Sequence, residues 1–544
     1  MKRCALWIFY PDRSEMRKPI TEQDIVYIRG KLLYVGEGNQ RKRFLMKGIA
    51  FPVPPPSQTQ NYYASNENIN DKLNDESYLS GWVSVLEQLP SNSDVNVVRL
   101  YEMDCRFNYS SFLTRAAELG IYVMIPLTTI MGPGVLDRTH AAPVCYPQKL
   151  FDYGVACLDR FWDYPAIIAG VVGNEVMNNL KAWGAAPCVK AYLDDLARYG
   201  YNVLRLRNGS KRQAFPLLYA TQHDSPAAEQ LPDEAIKLTF DYLSCKSKTE
   251  TGNANTKFLE NTVLFGINIE SWCSSLQSFE YEENGVDESS YHSLWRTLFQ
   301  GTKIETTMDA VSGVITTQEI LTISPKPLNV PVIFSEMGCS KYLFNRDNAT
   351  FAGTRLESDL NILARPMSEE LSGFVAYGYD GGGNAAFRMM GNDNAKWDGV
   401  EPLPPSEDYI NFCQELSILS EDDNDTVYLN DASLVPTDYI HCEEITSKLE
   451  LLWDVELYPI EKMPSYLVDK RPTHTITLVD EAADILLLQK IIQQVTSLDS
   501  FFAITIGIAA IAVAFKRRMN VHEKQSLVSD DTSPDYGSYP GTDN

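Results

Sequence analysis

Up to Tyr379 the chain is punctuated by eight nearly continuous apolar runs: Phe44–Phe51, Val95–Tyr101, Ile121–Leu127, Ile167–Val176, Phe215–Thr221, Val263–Trp272, Pro331–Gly338 and Leu371–Tyr379. Runs of this length without polar alternation are the pattern of strands buried on both faces, as in a parallel sheet. Helical spacing of apolar residues separates several of them, at Tyr78–Leu89, Phe112–Leu119, Leu150–Trp162 and Cys188–Arg207. Just before the first run, IVYIRGKLLYV reads as two short strands turning at Arg29-Gly30. Eight strands with helical crossovers predict an α/β fold, a (β/α)8 TIM-type barrel preceded by a β-hairpin, with a doubly wound sheet as the alternative. No GxGxxG or P-loop follows any strand, so no nucleotide cofactor is expected.

The same patterning divides the chain. Residues 1–19 form an N-terminal segment whose apolar stub is too short for a signal peptide, leaving a leader absent or truncated. The barrel is predicted over 20–416, closing with the helix that begins at Pro405-Ser406-Glu407. An acidic linker, Ser420–Asp431, opens a C-terminal extension over 417–497, ending in the apolar-faced helix Ala482–Leu498. Phe501–Phe515 carries no charge and is followed at once by Lys516-Arg517-Arg518. With Leu498 and its neighbours in the interface, 498–515 reads as one transmembrane helix. The basic cluster marks its cytoplasmic end, which puts the barrel outside or in a lumen and the polar tail 516–544 in the cytoplasm.

Composition narrows the partners. A net charge of −25 argues against nucleic acid and against anionic membrane surfaces, and it is compatible with a neutral polymer. The 10 cysteines show no metal-ligand spacing, so no metal is expected. Sequons at Asn108, Asn208, Asn348 and Asn424 lean towards a secretory compartment, where some cysteines would pair in a connectivity that spacing alone does not give.

Two of the apolar runs deliver a carboxylate. AGVVGNEV ends on Asn174-Glu175, and VPVIFSEMG carries Glu336. A carboxyl where a buried strand emerges into a cleft is partly desolvated and suited to proton transfer. Two such carboxyls are the minimum equipment of a glycosidase, and a retaining one requires them about 5–5.5 Å apart. The residues alone do not order their roles. Arg99 stands inside an apolar run, and Tyr101, two residues on, shares its strand face. Tyr377 and Tyr379 repeat that spacing.

KGIAF, VVRLY, GNEV, FGINIESWC and VPVIFSEMGCS, in that order between Ile20 and Leu416, resemble the successive blocks of the 1,3-beta-glucanosyltransferases that remodel fungal cell walls, a retaining glycoside hydrolase family (family seventy-two, clan A). The resemblance implies Glu175 as acid/base and Glu336 as nucleophile. It implies Asn174 as a partner of sugar hydroxyls, Arg99 as the cation aimed at the nucleophile, and Tyr101, Tyr377 and Tyr379 as sugar-binding rings. Trp272 serves equally as a sugar platform or as core. The donor and acceptor implied are β-1,3-glucan chains; the alternatives are a β-glucan endo-hydrolase and a catalytically silent carbohydrate-binding surface protein. Strand six departs from the family: Glu270 or Ser271 stands where a tyrosine orients the nucleophile. The stretches Ser244–Val263 and Gln300–Thr322 are longer than typical and are expected to border acceptor subsites.

Overall fold

The computed structural model describes residues 17–36, 41–51, 76–92, 94–101, 103–105, 108–129, 132–178, 181–207, 210–223, 232–246, 261–269, 290–308, 315–322, 324–338, 370–379, 389–391, 397, 401–422, 440–453 and 455–466. Each apolar run holds one strand, most of them shorter than the run, while the strand in Phe215–Thr221 extends one residue past its own run to Gln222. The strands are β4 (Met46–Ala50), β5 (Val97–Arg99), β6 (Tyr122–Pro126), β7 (Ile167–Asn174), β8 (Leu217–Gln222), β9 (Val263–Ile269), β12 (Val332–Met337) and β13 (Leu371–Ala376). They close into one barrel in the order β12-β13-β4-β5-β6-β7-β8-β9, with every pair parallel. The doubly wound alternative is thereby removed.

Helices α1 (Glu76–Asn92), α2 (Ser110–Glu118), α3 (Gln148–Phe161), α4 (Ala186–Tyr199), α5 (Pro232–Ser244) and α6 (Ser290–Trp295) lie in the connections, and α7 (Glu407–Asp422) follows the last strand. The long helical pattern at Cys188–Arg207 resolves into α4 followed by a π-turn at Gly200–Leu204. Strand residues facing outward, such as Val98, Val123, Ile125 and Val172, join the helices in one large core. Inward residues, among them Met46, Val97, Met124, Ile168, Leu218 and Ile333, fill the barrel together with Val26, Ile28 and Leu33 from the preceding hairpin. That hairpin, β1 (Tyr27–Arg29) and β2 (Leu32–Val35), turns at Gly30, whose left-handed φ of 59° favours glycine, and β3 (Lys42–Arg43) extends it.

The packed body runs past the expected boundary at Leu416. Helix α8 (Cys442–Trp453) lies against α5, and Ile445, Leu449, Leu457 and Ile460 belong to the same core as the barrel helices. Three disulfides fix loops to helices among the described residues: Cys105–Cys157, Cys145–Cys188 and Cys245–Cys442. The last joins the end of α5 to the start of α8 across 197 residues.

Among the described residues no helix is long and apolar enough to cross a membrane. The predicted acidic linker Ser420–Asp431 starts inside α7, which runs to Asp422, and the rest of it, the predicted transmembrane segment 498–515, the helix Ala482–Leu498 and the tail 516–544 lie outside the described residues.

The strands β10 (Thr302–Met308) and β11 (Ile315–Leu321) pair as an antiparallel hairpin within Gln300–Thr322. This hairpin sits in the connection from α6 to β12, and Ser244–Val263 in the connection from α5 to β9. Both are helix-to-strand connections in chain order, whereas sites on this fold are built from strand-to-helix loops, and residues 247–260 of the second lie outside the described residues. The expectation that these stretches border acceptor subsites therefore loses its topological basis.

Candidate active site

Glu175 and Glu336 both stand at the C-terminal end of the barrel, on its fourth and seventh strands. Strict alternation would send neighbouring residues of a strand to opposite faces. At both places the backbone breaks that alternation. Glu175 has a φ of 51°, a left-handed conformation that costs about 1–3 kcal/mol for a residue with a Cβ and that clusters at functional sites. Its amide still donates to the Ala220 carbonyl at 2.9 Å, and its carbonyl accepts from Arg138 at 3.1 Å. On β12 the register against β9 slips between Phe334 and Glu336, a bulge-type irregularity of the kind that re-aims side chains. Both Asn174-Glu175 and Ser335-Glu336 consequently present consecutive residues to one mouth.

Arg99, at the end of β5, ties these pairs together. Its side chain is 1% exposed, and Nη1 lies 3.0 Å from Oε1 of Glu336, itself 5% exposed. The same Nη1 donates to the Ser335 carbonyl at 2.6 Å, and Nη2 donates to Oδ1 of Asn174 at 2.7 Å. A charge this deeply buried is retained only with such partners. The guanidinium also lies 4.6 Å from the centroid of the Tyr101 ring, two residues on and just past the end of β5. Burial pushes the Tyr101 phenol well above its usual range; Arg99 opposes that shift, while the Glu336 carboxylate and Tyr377 reinforce it. The phenol therefore stays protonated beside the carboxylate at any ordinary pH. Tyr377 meets the Tyr101 ring edge-on at 6.2 Å.

The sequence-predicted residues do not all converge. Tyr379 is 1% exposed and donates its hydroxyl to Oε1 of Gln88 on α1 at 2.8 Å. Its expected face beside Tyr377 assumes a regular strand, but β13 ends at Ala376 and Gly378 takes a φ of 94°, which turns the next side chain into the helix layer. Tyr379 is thus a core residue rather than a sugar-facing one. Trp272, Glu270 and Ser271 lie outside the described residues.

One residue of the site is absent from the sequence reading. Asn268 on β9 is 1% exposed and is the register partner of Glu336. Its Nδ2 donates to Oε1 of Glu175 at 2.8 Å and to Oδ1 of Asn174 at 3.0 Å, while its Oδ1 accepts from the Ser335 hydroxyl at 2.6 Å. The signal was a single asparagine between Ile267 and Ile269 in an otherwise apolar strand, since a buried amide must find partners.

Chemically, the arrangement offers one carboxylate held against a fixed cation, a second held by a neutral amide, and a tyrosine hydroxyl kept protonated. That is an asymmetric pair of carboxyls, the requirement for one to act as nucleophile and the other to transfer protons.

Comparison with known proteins bears on this geometry. A family model described as glucanosyltransferase matches residues 18–299. The chain is 25% identical over 359 residues to the 1,3-beta-glucanosyltransferase GAS5 of Saccharomyces cerevisiae, covering 65% of this chain and 55% of that protein. It is 24% identical over 359 residues to protein EPD1 of Candida maltosa, with 65% and 49% covered. The chain spans about half the length of the curated relatives it matches. Among solved structures, Saccharomyces cerevisiae Gas2p in complex with laminaripentaose matches with a TM-score of 0.50 at 18% identity, covering 88% of this chain and 86% of that one. A second Gas2 structure matches at 0.51 and 19%, with the same coverage. At this identity the likeness concerns the fold.

Proposed function

The chain belongs to the glucanosyltransferase family, and from that membership we propose that it is a retaining 1,3-beta-glucanosyltransferase, with β-1,3-glucan chains as donor and acceptor. The observation that carries this reading is the Arg99 guanidinium bound at once to Glu336 and to Asn174, the residue before Glu175. Glu336, ionised beside Arg99, attacks the anomeric carbon and forms a glycosyl ester as the glycosidic bond breaks. Glu175 gives its proton to the departing oxygen. In the second half an acceptor hydroxyl attacks the same carbon, the ester breaks, and Glu175 takes the hydroxyl proton. Asn174 and Tyr377 line the donor sugar, and Tyr101 steadies Glu336.

The curated relative named a 1,3-beta-glucanosyltransferase and the solved Gas2p complex with laminaripentaose support β-1,3-glucan as the substrate class. Three disulfides support an oxidising compartment for the barrel. With 498–515 as a single-pass anchor and 516–544 cytoplasmic, the enzyme would face the outside or a lumen and act on wall glucan. Incubation with laminari-oligosaccharides of one length tests the activity. Transfer gives products both longer and shorter than the substrate. Shorter products alone, with new reducing ends, would make it an endo-hydrolase, and no products would leave a carbohydrate-binding protein.

A further inference from the structure

The hydrogen bonds around Asn268 have a direction that can be worked out from Arg99. A guanidinium only donates, so the Asn174 atom 2.7 Å from Nη2 of Arg99 is its carbonyl oxygen, Oδ1. Asn268 meets that same oxygen at 3.0 Å and must therefore turn its amide nitrogen towards it. The nitrogen's second proton then points at Oε1 of Glu175, 2.8 Å away. The carbonyl of Asn268 is left facing Ser335, whose hydroxyl donates to it at 2.6 Å. Flipping Asn268 would set oxygen against oxygen at Asn174, so that contact enforces one orientation. The Ser335 side chain has room for this contact because Gly266 stands beside it on β9: a Cβ there would come within 2.4 Å of Oγ.

The consequence falls on Glu175. With Oε1 held as an acceptor by an N–H, a proton on that oxygen would be driven against the amide. We propose that Asn268 is the positioning residue that confines the transferable proton of Glu175 to Oε2, and so sets which oxygen protonates the departing sugar and later receives the acceptor's proton. This rests on the glycosyl-transfer reading and adds to it a component on the sixth barrel strand, β9. It also makes the two carboxyls one unit. Asn268 pairs in register with Glu336 and touches Glu175, while Arg99 touches Glu336 and Asn174.

Two donors separate a role in proton delivery from a role in folding or sugar binding. A laminari-oligosaccharide needs its leaving oxygen protonated; the corresponding oligosaccharyl β-fluoride does not. For Asn268→Ala and for the shape-conserving Asn268→Asp, the rate on the oligosaccharide is expected to fall roughly 100-fold or more, the scale of general acid catalysis. The first-turnover release of fluoride is expected to stay within about 5-fold of wild type, since that step needs no proton from Glu175. Equal losses on both donors, or no loss on either, would overturn the proposal. Wild-type protein inert to both donors would instead overturn the glycosyl-transfer reading itself. Thermal unfolding of each variant is recorded alongside. If Asn268→Ala does not fold, Asn268→Asp carries the test, and recovery of its oligosaccharide rate as the pH is lowered, when the new carboxyl regains a proton to donate, is the added signature.

Discussion

Nη1 of Arg99 lies 3.0 Å from Oε1 of Glu336, with the two side chains 1% and 5% exposed. Each charge helps to compensate the burial of the other. Replacing Arg99 by Met removes the cation beside a buried carboxylate, and the expected loss of stability is about 3–5 kcal/mol by denaturant titration, with activity abolished. The double variant Arg99→Met/Glu336→Gln should regain much of that stability and none of the activity. A double variant as unstable as Arg99→Met alone would show that the pair is not the source of the effect.

Tyr101 keeps its proton beside Glu336 because burial, the carboxylate and Tyr377 outweigh Arg99. Tyr101→Phe should leave thermal stability nearly unchanged while kcat/KM falls roughly 10–150-fold, the scale of a hydroxyl lost from beside a charged group. Because the phenol stays raised, no alkaline limb in the wild-type pH profile below about pH 10 should disappear in this variant. A limb that does disappear would place the Tyr101 proton in the reaction.

Tyr377 and Tyr379 offer an internal comparison. Tyr379→Phe removes the bond to Gln88 and should cost about 1 kcal/mol of stability, with KM unchanged. Tyr377→Ala should raise KM for laminari-oligosaccharides and leave the unfolding midpoint within a degree or two. The reverse pattern would mean that strand eight continues regularly past Ala376.

How much of this was legible in the sequence depends on what each residue's position required. The eight strands were readable because burial on both faces demands unbroken apolar runs, and Val97–Arg99 or Val332–Met337 fall inside theirs. Arg99 was readable because a cation within such a run must find an anion. The role of Asn268 was not, because one amide between two isoleucines does not say which way it faces. Neither was the break after Ala376, where Gly378 takes a φ of 94° that no alternation rule contains. The bond between Cys245 and Cys442 spans 197 residues and depends on α8 docking on α5, a tertiary event without a local pattern. The left-handed backbone of Glu175 is likewise imposed by the barrel rim and not by its sequence neighbours.

Away from the site, Asp194 on α4 is buried near Lys190, and burial pushes its carboxyl up to about 7, against the opposing pull of Lys190 and Arg198. A carboxyl raised in the folded state binds its proton more tightly there than in the unfolded chain. Its contribution to stability is therefore fully present below about pH 4, is lost as the pH climbs to about 7, and changes little beyond. The slope assignable to this group is at most about 1.4 kcal/mol per pH unit. Asp194→Asn should flatten the dependence of stability on pH between about 4 and 7 relative to wild type, measured by denaturant titration at fixed pH values. Parallel curves for the two proteins would contradict this.

The central claim is that Glu336 becomes bonded to the sugar. A laminari-oligosaccharyl fluoride bearing a second fluorine in place of the 2-hydroxyl forms the glycosyl ester quickly and releases it slowly, so the adduct can be weighed after proteolysis. The expected result is one oligosaccharyl unit on the peptide that contains Glu336, and none in Glu336→Gln. An adduct on another residue, or turnover of the donor with no adduct at all, would contradict the account.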